Sequence, residues 1–446
     1  MKQLPRRTLS ALALSGLAFV AAKAALDVNL RLPPDHPAIN YMKTPPDDPV
    51  ARLAKRIEAG TAKLDYVPGR AGYLPSLLKN LDINVDSQML VFSKTSFQAP
   101  LISPRAPRAL FFNDEVSVGS VKNGEVLEFA SLDPKQGVIF YTLNVDKMAK
   151  PYFARREECL QCHQAQATLG IPGLEVGSSF PRSDGTPLFQ AGYTAVDDRV
   201  PIEKRWGGWF VTGLTGNTEH MGNAVVHDPS NPKQLDRSDS LNLTSLEGKV
   251  DLTGYMAQTS DIVALMTLEH QTRMTNLIIR AGWEERIAEH DGKLAEATPA
   301  LETDIDEMVT YMLFADETPL KDPIVGVSTF TKTFPQRGPR DKKGRSLRDF
   351  DLKTRMFKYP LSYMIYSEAF DNMPAWVRDR VYRKLYDVLT NKDTSDKYKK
   401  ISAADREAVL EILRDTKPNL PDYWKTAPAA TPAAAPDPEL SAPTGY

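Results

Sequence analysis

Two thiols and an imidazole stand together at Cys159-Leu160-Gln161-Cys162-His163, and the chain of 446 residues has no other cysteine. Cys-x-x-Cys-His is the spacing that attaches c-type haem. Each thiol adds across one porphyrin vinyl group, and two intervening residues let both sulfurs reach one edge of the macrocycle. The histidine that follows is then placed to ligate iron on the proximal face. Three other chemistries use part of this pattern. A thioredoxin-like dithiol needs the cysteine spacing but not the adjacent histidine. A structural zinc site needs about four ligands, and there is no second cysteine pair. A disulfide between residues so close together closes too small a loop to stabilise much. The pattern predicts one covalent haem c with its iron, held by Cys159, Cys162 and His163.

The occupant of the second axial position decides between electron transfer, sensing and catalysis. The other histidines are His36, His220, His227, His270 and His290. His36 lies in a Pro-rich segment, His227 precedes a turn, and His290 sits in a charged stretch. His270 recurs at helical spacing with Val263, Met266, Met274, Leu277 and Ala281, an apolar stripe aimed inward. It is the expected distal ligand, although a core histidine bonded to a carbonyl would show the same pattern. His220, or one of Met221, Met256, Met266, Met274 and Met364, is the alternative, as is an open site. Arg273, Arg280 and Arg355 are candidate partners for haem propionates. Two aromatic patches, 205–210 and 355–366, suit either a haem wall or a core.

These residues need elements to position them. Residues 1–24 read as a signal peptide: Lys2, Arg6 and Arg7 form a positive start, an apolar run follows, and Ala22-Lys23-Ala24 is a cleavage signature. An uncleaved anchor is the other reading. The Arg6-Arg7 pair allows twin-arginine export, but covalent haem attachment acts on an unfolded chain, which favours the general secretory route. From Asp48, placed as a helix N-cap with Pro49 at the first helical position, a helix is expected. Strands are expected at 88–97, 109–121, 125–132 and 137–145, with Asn123-Gly124 as a turn, and again at 187–196 and 207–214. Helices are expected at 260–291 with Ser260 as cap, at 301–315, at 374–390 and at 403–413, with an exposed basic loop at 331–355. The predicted organisation is a mixed β-rich region at 25–227 carrying the haem site, a linker or surface loop at 228–253, a mainly helical region at 254–425, and a disordered Ala/Pro-rich tail at 426–446. The fold class is therefore α+β. A balance of 55 basic against 57 acidic residues excludes a chain-wide nucleic-acid surface.

With its signal segment and Cys159-Leu160-Gln161-Cys162-His163, the chain resembles exported mono-haem proteins of the c-type cytochrome group. The stretches LVFSKTSFQ, RWGGWFVTG, LEHQTRM and YPLSYMIYSEAF are similar to those of a large, functionally uncharacterised bacterial family of such proteins. The resemblance implies haem c, iron and an electron-transfer role with a redox partner protein. Strands precede the motif where small cytochromes c have a short helix, which departs from the usual all-helical fold. A sheet around a haem-bearing segment is also similar, at fold level only, to exported PAS-like sensor domains. The expected function is periplasmic electron transfer, with membrane contact only if the first segment is uncleaved. Six-coordinate iron would leave no place for a substrate. The alternatives are a haem-based sensor or small-ligand-binding protein, or a peroxidase-like enzyme with His220 as acid–base residue.

Overall fold

The computed structural model describes residues 31–69 and 72–425. The expected signal peptide and the Ala/Pro-rich tail lie outside them. Among the described residues no helix is long and apolar enough to cross a membrane.

Asp48 caps α1 (Pro49–Glu58), its carboxylate accepting the Val50 and Ala51 amides. The short helix α2 (Leu74–Asn80) follows. An antiparallel sheet then builds from β1 (Met89–Val91), β2 (Arg108–Phe112), β3 (Val116–Ser120), β4 (Val126–Asp133), β5 (Gly137–Asn144) and β6 (Ala154–Arg155). After the motif helix α3 (Leu160–His163), a hairpin of β7 (Val176–Ser179) and β8 (Tyr193–Val196) forms a second sheet, and β9 (Trp209–Phe210) returns to pair with β1. The main sheet therefore runs β6-β5-β4-β3-β2-β1-β9. The expected strand 109–121 is two strands, because Asn113 accepts the Glu115 and Val116 amides and turns the chain between them.

The two faces of this sheet differ. Ala109, Phe111, Val118, Leu127 and Phe129 are buried on one face. The Tyr141 hydroxyl on that face donates to Asp48 at 2.6 Å, which pins α1 against it. Arg108, Leu110, Ser117, Glu128 and Ala130 alternate with them and are only half-buried on the other. Register puts Phe140 on this half-open face, opposite Ala130.

The second half is helical: α4 (Ile262–His290), α5 (Leu294–Met312), α6 (Phe330–Gln336), α7 (Ala375–Leu389) and α8 (Ala403–Thr416). At 29 residues, α4 is about 44 Å long. It is buried on nearly every side rather than along one stripe, as expected of a central helix. Its cap is Asp261, which accepts the Val263 amide at 2.8 Å. Ser260 instead bridges β1 and β9, accepting from Leu90 N and donating to Phe210 O. Across 331–355 the chain is not a free basic loop: α6 starts it, Leu347 and Arg348 are buried, and Arg348 pairs with Asp114. Segment 228–253 has no regular element, yet Ser240 and Leu246 are buried against the body. One hydrophobic cluster runs through both halves, from Ile39 to Trp424.

Candidate functional site

The two cysteines and His163 lie on one continuous helical turn, a 3-10 stretch at Glu157–Cys159 leading into α3. Both thiols are free; Cys159 is half-buried and Cys162 is exposed. Burial, together with the carboxylates of Glu158 and Glu128, pushes the Cys159 thiol up to about 11. That is the opposite of a redox-active dithiol, whose attacking sulfur needs a depressed value.

The His163 ring packs on Phe140 with centroids 4.7 Å apart, so it stands over the half-open sheet face. His163 and Gly173 are tied twice: the Gly173 amide donates to His163 O at 2.9 Å, and His163 Nδ1 meets Gly173 O at 3.1 Å. Nε2 makes no hydrogen bond among the described residues. Burial pushes the imidazole down to about 4, so it is neutral at physiological pH, the state that ligates metals. Gly173 has no room for a side chain, because a Cβ there would lie 2.2 Å from Asn276 Oδ1. From α4, Asn276 donates to Leu174 O and Arg280 to Leu169 O, bracing the loop that orients His163. Neither Phe140 nor Gly173 nor Asn276 is marked by sequence pattern; they are found only through register and packing.

The charged end of the half-open face is ordered too. Glu128 accepts from Ser96, Gln98 and Arg108 at 2.7, 2.7 and 2.9 Å. Burial works against its charge, but these donors hold the carboxyl below the usual carboxylate range. Arg108 Nε is buried without a hydrogen-bond partner.

His270, the expected distal ligand, has partners on both ring nitrogens. It is buried on α4 as predicted, but both ring nitrogens are committed: Nδ1 to Asp198 Oδ2 at 2.6 Å and Nε2 to Ser362 Oγ at 2.7 Å. Tyr311 and Phe314 cover the ring. The α4 residues that reach the motif loop are Asn276 and Arg280; six positions separate His270 from Asn276, which turns it about 120° away around the helix. The arginines considered for propionates have carboxylate partners of their own. Arg273 is paired with Glu307 at 2.5 Å and Arg355 grips Asp405 through two bonds of 3.0 and 2.8 Å. Arg280 is paired with Glu284. His220 is buried against Trp206, and its Nδ1 accepts the Gly222 amide, which puts the proton on Nε2. Met266, Met274 and Met364 are core residues, and Met221 lies under Ser178. Met256 lines a cavity of about 250 Å³ with Phe111 and Leu127, on the sheet face opposite His163. The aromatic patches are structural. Gly207 brings the backbone against Ser179 O, where a Cβ would lie at 1.9 Å, and Phe357 and Tyr363 pack with Phe334.

Asp198, His270 and Ser362 have the order and spacing of a hydrolase triad. Their burial denies it a substrate: they are 4, 0 and 0% exposed. Ser362 Oγ also accepts the Met364 amide as the cap of a 3-10 turn. The trio ties α4 to two loops. Ser362→Ala is expected to cost about 1–3 kcal/mol by leaving His270 Nε2 unpaired, read from the shift of a chemical denaturation midpoint.

His220 gives a pH signature. Burial, reinforced by the Arg237 charge, pushes it from 6.5 down to about 4. Between those values the unfolded chain binds a proton that the folded chain refuses, so stability falls as pH drops from 6.5 towards 4. The loss is expected to reach about 3 kcal/mol. Urea titrations of the parent and of His220→Gln across this window check it; the variant should lose that part of the slope.

Comparison with protein-family models, with curated proteins and with solved structures finds no match to this chain.

Proposed function

We propose that this protein is an exported c-type haem protein that carries single electrons. One observation carries the reading: His163 Nδ1 is anchored on Gly173 O while Nε2 is left without a hydrogen bond, on the same turn as two free thiols. Anchoring one imidazole nitrogen on a carbonyl fixes the tautomer that presents the other to a metal. Cys159 and Cys162 would form the thioethers and His163 would be the axial ligand. The residues present fit such a group. Leu110, Ser117 and Ala130 offer a half-open floor of small and apolar side chains on the face where His163 stands. Arg108 is paired with Glu128 but keeps one buried donor, Nε, without a partner, and that atom suits a propionate. A haem held there supplies a one-electron couple between ferric and ferrous iron. Export belongs to the same reading and rests on Lys2, Arg6, Arg7 and the apolar run after them.

A second reading, a haem-based sensor or small-ligand-binding protein, is favoured by one observation. His270 and His220, the two histidines expected near the iron, are committed elsewhere. The peroxidase-like reading loses its acid–base residue, because His220 is buried against Trp206 and fixed by Gly222. A visible spectrum and a pyridine haemochrome assay on protein from a maturation-competent host decide. Low-spin ferric iron that ignores carbon monoxide after reduction supports electron transfer. High-spin iron that binds the gas supports ligand sensing, and the lack of any haem band overturns both.

A further inference from the structure

His36 and His290 lie 254 positions apart in the sequence, yet their rings meet edge-on with centroids 5.1 Å apart. A tight turn sets His36: its amide donates to Pro33 O, its carbonyl accepts from Asn40, and its Nδ1 accepts the Ala38 amide at 3.2 Å. His290 ends α4 and Asp291 is the C-cap. His36 Nε2 and His290 Nδ1 both converge on Asp291 Oδ1, at 3.2 and 3.0 Å. One donor atom from each of the three residues falls within 4.8 Å of the others.

A tetrahedral ion with bonds of about 2.0–2.1 Å needs its donors about 3.3–3.4 Å apart. Two of the three separations are already within about 0.4 Å of that edge. The carbonyl end of a long helix is the negative end of its dipole, which favours a cation. His36 is mostly buried while His290 and Asp291 are open to water, so solvent can complete the shell. Two imidazoles and a carboxylate suit a borderline divalent ion better than calcium or magnesium.

We propose that His36, His290 and Asp291 bind one divalent transition-metal ion of the zinc class. Loading moves the His36 proton from Nε2 to Nδ1, at the expense of the Ala38 contact, and the His290 proton from Nδ1 to the exposed Nε2. No proton is released. The ion clamps the N-terminal segment to the end of α4. That segment also holds the motif loop, since Leu32 N donates to Gly170 O at 3.0 Å and Gln164 donates to Leu32 O at 2.7 Å. The site uses none of Cys159, Cys162 and His163, so it stands or falls apart from the haem reading.

The test is calorimetric titration of the full chain with zinc chloride, any free thiol having first been carboxymethylated, together with hydrogen exchange over residues 32–41. One ion per chain is expected, with slower exchange in that segment. His290→Gln and Asp291→Asn, both at solvent-open positions, should each weaken binding at least tenfold, roughly the loss seen on disturbing a metal site, and abolish the zinc-dependent protection. No saturable binding by the parent chain, or binding that both variants retain, overturns the proposal.

Discussion

With Cys159 and Cys162 both changed to alanine, protein made in a maturation-competent host is expected to carry no covalent haem. Its mass will be that of the bare polypeptide, and its visible bands will fall to background after acid extraction. The parent will keep the cofactor through the same treatment. His163 alone could hold iron only by a reversible bond, so the covalent mass reports the sulfurs and nothing else. His163→Ala separates the two roles: the added mass should remain while the spectrum changes, because the thioether bonds are made by the thiols and not by the imidazole. A parent chain whose two thiols are unmodified would remove the haem reading altogether.

The largest expected loss of stability lies at Glu269. Its carboxylate accepts from Arg205 at 2.9 Å and from the Trp206 indole, and Arg205 and Glu269 are 3 and 0% exposed. Burial pushes Glu269 up to about 7 despite these donors. Arg205 also donates to Val200 O and Asp198 O, so its guanidinium is fully enclosed. Glu269→Ala strands that charge and is expected to cost about 3–5 kcal/mol, a large share of a total stability of about 5–15 kcal/mol. Replacing both partners by apolar residues of similar volume, Arg205→Met with Glu269→Met, should recover most of it. Guanidinium unfolding of the three proteins measures the difference. If the double variant is as unstable as the single one, packing rather than the stranded charge sets the cost.

Local chemistry carried much of the fold into the sequence. Asp48-Pro49 announces α1 because cap and first-turn preferences act within four residues. Ser402 announces α8 in the same way, accepting the Asp405 amide at 3.0 Å. Strands β4 and β5 were legible from their β-branched and aromatic content. What failed depends on distant partners. Ser260 looked like a cap, but its hydroxyl is claimed by Leu90 and Phe210, and the adjacent Asp261 takes the role. His270 was correctly read as inward-facing, yet which neighbour its nitrogens meet is set by Asp198 and Ser362, which lie 72 and 92 positions away. The arginines show the same limit. A cation near a stripe of apolar residues has no readable preference between a propionate and Glu307. In the candidate site the thiols and His163 were legible because a motif of fixed local spacing can be read without any distant partner. Their support, Phe140 and Gly173, was not, because it comes from register and close approach.

The pairing of β1 with β9 encloses residues 92–208, and so the whole motif, within one loop of the sheet. Closing so long a loop is entropically costly and slow. The segment that carries the motif is therefore tied down at both ends only once β9 has paired with β1. A substitution that weakens this one pairing would loosen everything strung between the two strands, while Cys162 stays as open to solvent as it is in the folded chain.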